Sequence, residues 1–206
     1  MSKKTFFIYF ITLLSSTILL SACATINFSA PPQTQYQKQT WQERYRALSK
    51  VTKWHMEGAF SLQQPQHSAI ANYSWDQNKQ NYTIHIYSSL HFYETNIIGT
   101  TRQITLLDSD NKRYTAKTPE ILLQQHLGWH LPISNLFYWI RGLPGKGPYH
   151  LQNDVYGHLT QLQQDGWVVQ FSRYKSVDQV DLPQLLQLKK GSLNVRIAVK
   201  NVLIPS

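Results

Sequence analysis

The chain has 206 residues, enough for one domain or at most two small ones, and 42% of them are hydrophobic, which supports a real core and excludes disorder as the main description. Lys and Arg number 20 against 11 Asp and Glu, a net charge of +9, yet charged residues make up only 15%, so the basicity comes from scarce acids and points to anionic partners without dense basic runs. One cysteine excludes an internal disulfide framework and a cysteine-based structural zinc site.

Lys3 and Lys4 precede an uncharged apolar run from Thr5 to Leu20, the pattern of an export signal. The run is short for a membrane span and is broken by Ser and Thr, and no basic stop-transfer segment follows it. It ends in Leu20-Ser21-Ala22-Cys23, which resembles the bacterial lipobox, with Cys23 as the site that takes a diacylglyceryl and an acyl group. Ala24 follows in place of the Asp that typically retains enterobacterial lipoproteins at the inner membrane, so the expected destination is the outer membrane. Several chains on Cys23 would make a stable anchor where one would hold only marginally. Residues 1–22 are then a signal peptide and 23–39 a lipidated N-terminus and flexible tether, polar and carrying Pro31-Pro32. Residues 40–206 form a single domain. Removing 1–22 takes away Lys3 and Lys4, leaving 18 minus 11, or +7.

Trp41, Tyr45, Leu48 and Val51 recur at helical spacing and predict one amphipathic helix with this stripe in the core. The period then changes to two. Trp54-Met56-Gly58-Phe60-Leu62, Ala69-Ala71-Tyr73-Trp75 and Tyr82-Ile84-Ile86 alternate with polar or small residues and predict hairpin-joined antiparallel strands. Further strands are expected at 93–98, 102–107 and 112–116. Thr118-Pro119-Glu120 caps a short helix running to Gly128, and a second, from about Ile133 to Arg141 with Ser134 or a neighbour as cap, stops at Gly142-Leu143-Pro144-Gly145. Leu136, Phe137, Tyr138, Trp139 and Ile140 cover more than one face of it, as in a helix that is buried or covers something apolar. Strands resume at 158–163, 167–173, 182–189 and 193–200. The fold class is mainly β: a strongly curved antiparallel sheet of about 10–11 strands, open or closed, with the short helices on its concave side.

Catalysis has little to stand on, and the chain reads as a non-enzyme. There is no Gly-x-Ser-x-Gly elbow, no His-Glu-x-x-His and no phosphate-cradling glycine loop, and the acids are scattered. His126 and His130 are four apart but separated by Gly128, and His85 and His91 straddle a turn, so no metal site is assigned; the only cofactor-like groups expected are those on Cys23. The dispersed basic residues of an exported chain do not suggest nucleic acid. Six Trp, 12 Tyr and 8 Phe on alternating strands imply a large concave apolar surface, packed solid or enclosing a cavity.

The stretch Pro132-Ile133-Ser134-Asn135-Leu136-Phe137-Tyr138-Trp139-Ile140-Arg141-Gly142-Leu143-Pro144-Gly145 resembles the most recognisable segment of the LolB family, the outer-membrane receptors of the Lol lipoprotein-sorting pathway. Gly58-Ala59-Phe60, Trp75, the run Asn111 to Ala116 and the lipobox follow the family's order. The resemblance implies an unclosed antiparallel β-barrel with a helical lid over an apolar cavity, anchored on the periplasmic face of the outer membrane as a monomer. It implies partners in a soluble LolA-type periplasmic carrier, acylated lipoprotein cargo and the inner leaflet of the outer membrane. It also implies a projecting loop with an exposed leucine; the matching loop is Ser88-Ser89-Leu90-His91-Phe92, placing the membrane-insertion role on Leu90. The family commonly reads Pro-Leu-Gly there, and this chain reads Ser-Leu-His. Candidate cavity-lining residues are Tyr73, Trp75, Ile84, Ile86, Phe137 and Ile140, although period two does not say which strand face points inward. The alternatives are a structural or assembly lipoprotein with a solid core, a lipocalin-like binder of free lipid and, more remotely, a lipid hydrolase.

Overall fold

The computed structural model describes residues 36–65, 67–88 and 94–205. A ten-residue helix, α1 (Trp41–Lys50), leads into β1 (Lys53–Gln64), β2 (His67–Asn78), β3 (Asn81–Tyr87), β4 (Glu94–Gly99), β5 (Ile104–Leu107) and β6 (Arg113–Ala116). Two helices follow, α2 (Pro119–Leu127) and α3 (Ile133–Trp139), and then β7 (His150–Asn153), β8 (Leu159–Gln164), β9 (Trp167–Val177), β10 (Val180–Lys190) and β11 (Leu193–Leu203). All eleven strands form one antiparallel sheet in the order β6-β5-β4-β3-β2-β1-β11-β10-β9-β8-β7. The first and last strands are neighbours at its centre. β6 and β7 lie at opposite edges and do not pair, so the barrel is unclosed, and the chain between those edges carries α2 and α3.

Alternation decides which face is inside. In β1, Trp54, Met56, Gly58, Phe60 and Leu62 are buried while the residues between them are not, and β2, β3 and β4 repeat the pattern with Tyr73, Trp75, Ile84, Ile86 and Ile97. Register aligns these positions in rows across the sheet, as in Met56–Trp75–Ile84–Ile97–Leu106, so one concave face collects the aromatic and aliphatic side chains. Gly58 sits where the β1–β11 register shifts, at a bulge that bends the sheet. A Cβ there would fall 1.9 Å from the Ala198 carbonyl oxygen and 2.8 Å from the Tyr73 hydroxyl. The close approach admits only glycine.

The strands run between two ends. The α1 end holds the start of β1, the β2–β3 and β9–β10 turns and the C-terminus; the far end holds the β1–β2, β8–β9 and β10–β11 turns and the paired stems Tyr87 and Glu94 of the β3–β4 loop. The loop expected to carry Leu90 lies, in residues 89–93, outside the described residues, as does Cys23.

Four sequence expectations shift. On α1 the buried residues are Arg44 and Leu48, while Tyr45 is 42% exposed, because a carboxylate from β10 draws the Arg44 face inward. Tyr36 and Gln37, expected within the tether, pack on the domain: the Tyr36 hydroxyl donates to the Tyr174 carbonyl, and Gln37 O accepts from Arg44. β7 was not expected, since no alternation marks it. The first residues of α3 are capped by another helix and not by Ser134 as acceptor.

Candidate functional site

The concave face, α3 and the segment leading into it line an apolar cavity. Its sheet wall is Phe60, Tyr73, Trp75, Ile84, Ile86 and Ile197, and its cover is Leu131, Ile133, Leu136 and Ile140. Every strand residue in this wall is in inward phase, and Phe60 faces Ile197 across the β1–β11 pairing as Tyr73 faces Ile86 and Trp75 faces Ile84 across β2–β3. The Tyr73 hydroxyl donates to Ala198 O at 3.3 Å, which turns its polar tip out of the cavity, and burial pushes that phenol's pKa up. The Trp75 indole N–H likewise turns away, donating to Gln77 Oε1 at 2.9 Å. The walls thus present rings and aliphatic groups only. The cavity measures about 30 Å³, room for one water.

The cover is held unequally at its two ends. Thr118 caps α2, accepting from Ile121 N, and Gly128 ends it in the left-handed conformation at φ 67°. α3 has no cap of its own; the Glu120 carboxylate on α2 accepts from Ser134 N at 2.7 Å and Ser134 Oγ at 3.2 Å. That link is exposed. The other end is buried and multiply tied. Trp139 donates its indole N–H to Gln164 Oε1 at 3.0 Å, Gly145 N donates to the same oxygen at 2.8 Å, and Gln164 donates to Lys146 O at 3.2 Å. Arg141, 3% exposed, donates to Val51 O at 2.6 Å and Phe137 O at 3.1 Å, with its guanidinium 4.5 Å from the Phe137 ring centre. Burial lowers the pKa of Arg141 to about 10, which leaves it charged at the end of α1, where helix carbonyls favour a cation.

Of the expected cavity residues, Tyr73, Trp75, Ile84, Ile86 and Ile140 come together around one space. Phe137 does not join them: half-buried, its ring lies beneath Arg141 and edge-on to Tyr138, because that helix position turns toward α1. Cys23 and Leu90 fall outside the described residues. Sequence reasoning missed Phe60, Leu131, Ile133, Leu136 and Ile197. Phe60 was in the inward phase already recognised for β1, and Ile197 follows from its pairing; Leu131 carries no signal outside the tertiary structure.

A second constellation, buried and polar, sits at the α1 end. Asp181 accepts from Arg44 Nη1 at 2.6 Å, meets His158 Nε2 at 2.9 Å and accepts from the Ser176 hydroxyl; Asp154 meets His158 Nδ1 at 3.0 Å. Burial alone would raise the Asp181 carboxyl, but hydrogen bonds from His158, Ser176 and Arg44 hold it at about 2. Tyr174 stacks on His158 at 4.2 Å, and Tyr36 packs edge-on at 4.7 Å. This cluster fastens α1 and residues 36–37 to the sheet. It is remote from the cavity wall and, among the described residues, no cluster of His, Cys, Asp and Glu is placed to hold a metal.

Comparison with known proteins agrees with this geometry. Residues 52–201 match the family described as outer membrane lipoprotein LolB. The outer-membrane lipoprotein LolB of Coxiella burnetii (strain RSA 493 / Nine Mile phase I) is 49% identical over 193 residues, 94% of this chain and 92% of the relative. That of Pseudomonas paraeruginosa is 31% identical over 188 residues, 91% and 92% of the respective chains. Among solved structures, a LolA superfamily protein from Nitrosomonas europaea superposes with a TM-score of 0.54 at 8% identity, covering 82% of this chain and 94% of that one, a likeness of fold. The unclosed eleven-stranded barrel, its helical lid and the matched sequence from β1 to β11 make this chain a member of the LolB family of outer-membrane lipoproteins.

Proposed function

We propose that this protein, anchored through lipid on Cys23 to the periplasmic face of the outer membrane, accepts acylated lipoproteins from a soluble LolA-type carrier and inserts them into the inner leaflet. The apolar, lid-covered cavity in a LolB-family chain carries this reading. Exposing three acyl chains of about sixteen carbons to water costs tens of kcal/mol at about 0.8 kcal/mol per CH₂, so such cargo travels shielded. The role is binding and transfer, not catalysis. Transfer runs downhill between apolar sites, and the small cavity supports a cycle in which the lid yields to the chains: ligand cavities usually measure about 300–1,000 Å³, far above the present 30 Å³. The widening falls to the lid, since the strands of the wall are locked by ladder hydrogen bonds.

The β3–β4 loop gives the exit step. A leucine at a loop tip costs roughly 1.5–3 kcal/mol in water relative to burial, and Leu90 recovers this on entering a bilayer. The test depletes the protein and fractionates the envelope. Lipoproteins should accumulate short of the outer membrane; normal sorting in the depleted cells rejects the receptor role. Leu90→Glu should preserve capture from the carrier and abolish insertion into vesicles. Loss of folding in that variant would make Leu90 a core residue.

A further inference from the structure

The far end of the barrel carries an open groove of about 620 Å³, much larger than the cavity beside it. Leu131 belongs to the walls of both. The cavity and the groove therefore adjoin at the short segment between α2 and α3, at the weakly tied end of the lid. The floor of the groove is apolar, with Leu131, Trp167 and Leu193 all at most 9% exposed. Its rim is polar, with Gln124, His130 and Lys190 exposed and Glu120 half-buried.

We propose that this groove is a binding site for the glyceryl-ester and cysteinyl head of the acylated lipoprotein, while the acyl chains pass Leu131 into the cavity. The inference rests on the cavity being the acyl-chain site. Ester carbonyls accept hydrogen bonds and donate none, so their site must offer donors, and Gln124, His130 and Lys190 are donor-bearing side chains at the rim. A phospholipid head fits less well. Its phosphodiester needs an excess of cation, but the groove is lined by one lysine and one glutamate. A neutral ester head with its thioether and first peptide bond matches a rim of balanced charge over an aromatic floor.

The test compares three ligands on the mature chain: palmitate, which requires only the cavity; a triacylated cysteinyl lipopeptide, which requires both sites; and phosphatidylglycerol. The combined variant Gln124→Ala, His130→Ala and Lys190→Ala alters exposed side chains only. Its affinity for the lipopeptide should fall about tenfold or more, the sum of a few hydrogen bonds, while palmitate binding stays unchanged and reports an intact fold. Lipopeptide affinity that is unchanged, or that falls by the same factor as palmitate, overturns the groove assignment. An equal fall for phosphatidylglycerol overturns it in favour of a general phospholipid site. Wild-type protein binding neither palmitate nor lipopeptide defeats the cavity reading itself.

Discussion

One oxygen of Asp181, Oδ2, both compensates the buried Arg44 and contacts His158. Asp181→Ala leaves Arg44 without its carboxylate and His158 with Asp154 alone, and removing one partner of a buried pair costs about 3–5 kcal/mol; the urea midpoint of the variant should fall accordingly. The same group sets an acid limit. Its folded pKa, about 2, lies below the ordinary value of 3.8, so the folded state binds this proton less readily than the unfolded chain does. Its stabilisation is fully present above pH ~4, is lost as pH falls from there through 2, and amounts to on the order of 2 kcal/mol. Thermal melts between pH 5 and 2 should show this slope in the wild type and a flatter one in Asp181→Asn. Gly58 is constrained sterically. With a carbonyl oxygen 1.9 Å from any Cβ, Gly58→Ala must move β1 or β11, at a cost of about 3 kcal/mol or more, measurable by the same denaturation.

At the scale of elements, the lid is a short helix pair with one firm and one yielding end. Glu120→Ala removes the acceptor for Ser134 N and Oγ; loss of a cap of this kind costs about 1 kcal/mol. Amide exchange at residues 133–136 should then quicken about fivefold with that of β1 and β11 unchanged. Little of this inequality was legible in the sequence. Thr118-Pro119 and Gly128 announced α2 because those signals are local, whereas the cap of α3 comes from a residue 14 positions away and the Gln164 tie from one 25 positions from Trp139. The burial of Arg44 was not legible for the same reason: its carboxylate is 137 positions distant. The long strands were readable because one face of each is buried. β7 was not, since none of its four residues is buried and it lies at an edge of the sheet, where apolar alternation has nothing to face.

For the whole molecule, the sheet order matters more than any of its contacts. The mainly β architecture could be read from period and aromatic content, and Tyr73, Trp75, Ile84 and Ile86 could be named as candidates while their face was left open; the pairing of β1 with β11 could not be read, because alternation carries no register between strands so far apart in the chain. That pairing joins His55 to Leu203 and gives β1 both its neighbours only when the C-terminus arrives. A chain ending at Ser192 keeps the β1 to β6 and the β7 to β10 blocks but leaves two long edges unpaired at the centre, and should be degraded by brief proteolysis that the intact chain survives. The consequence extends to biogenesis. Synthesis delivers the N-terminal strands first, so the central seam between β1 and β11 forms only once β11 has followed the other ten strands.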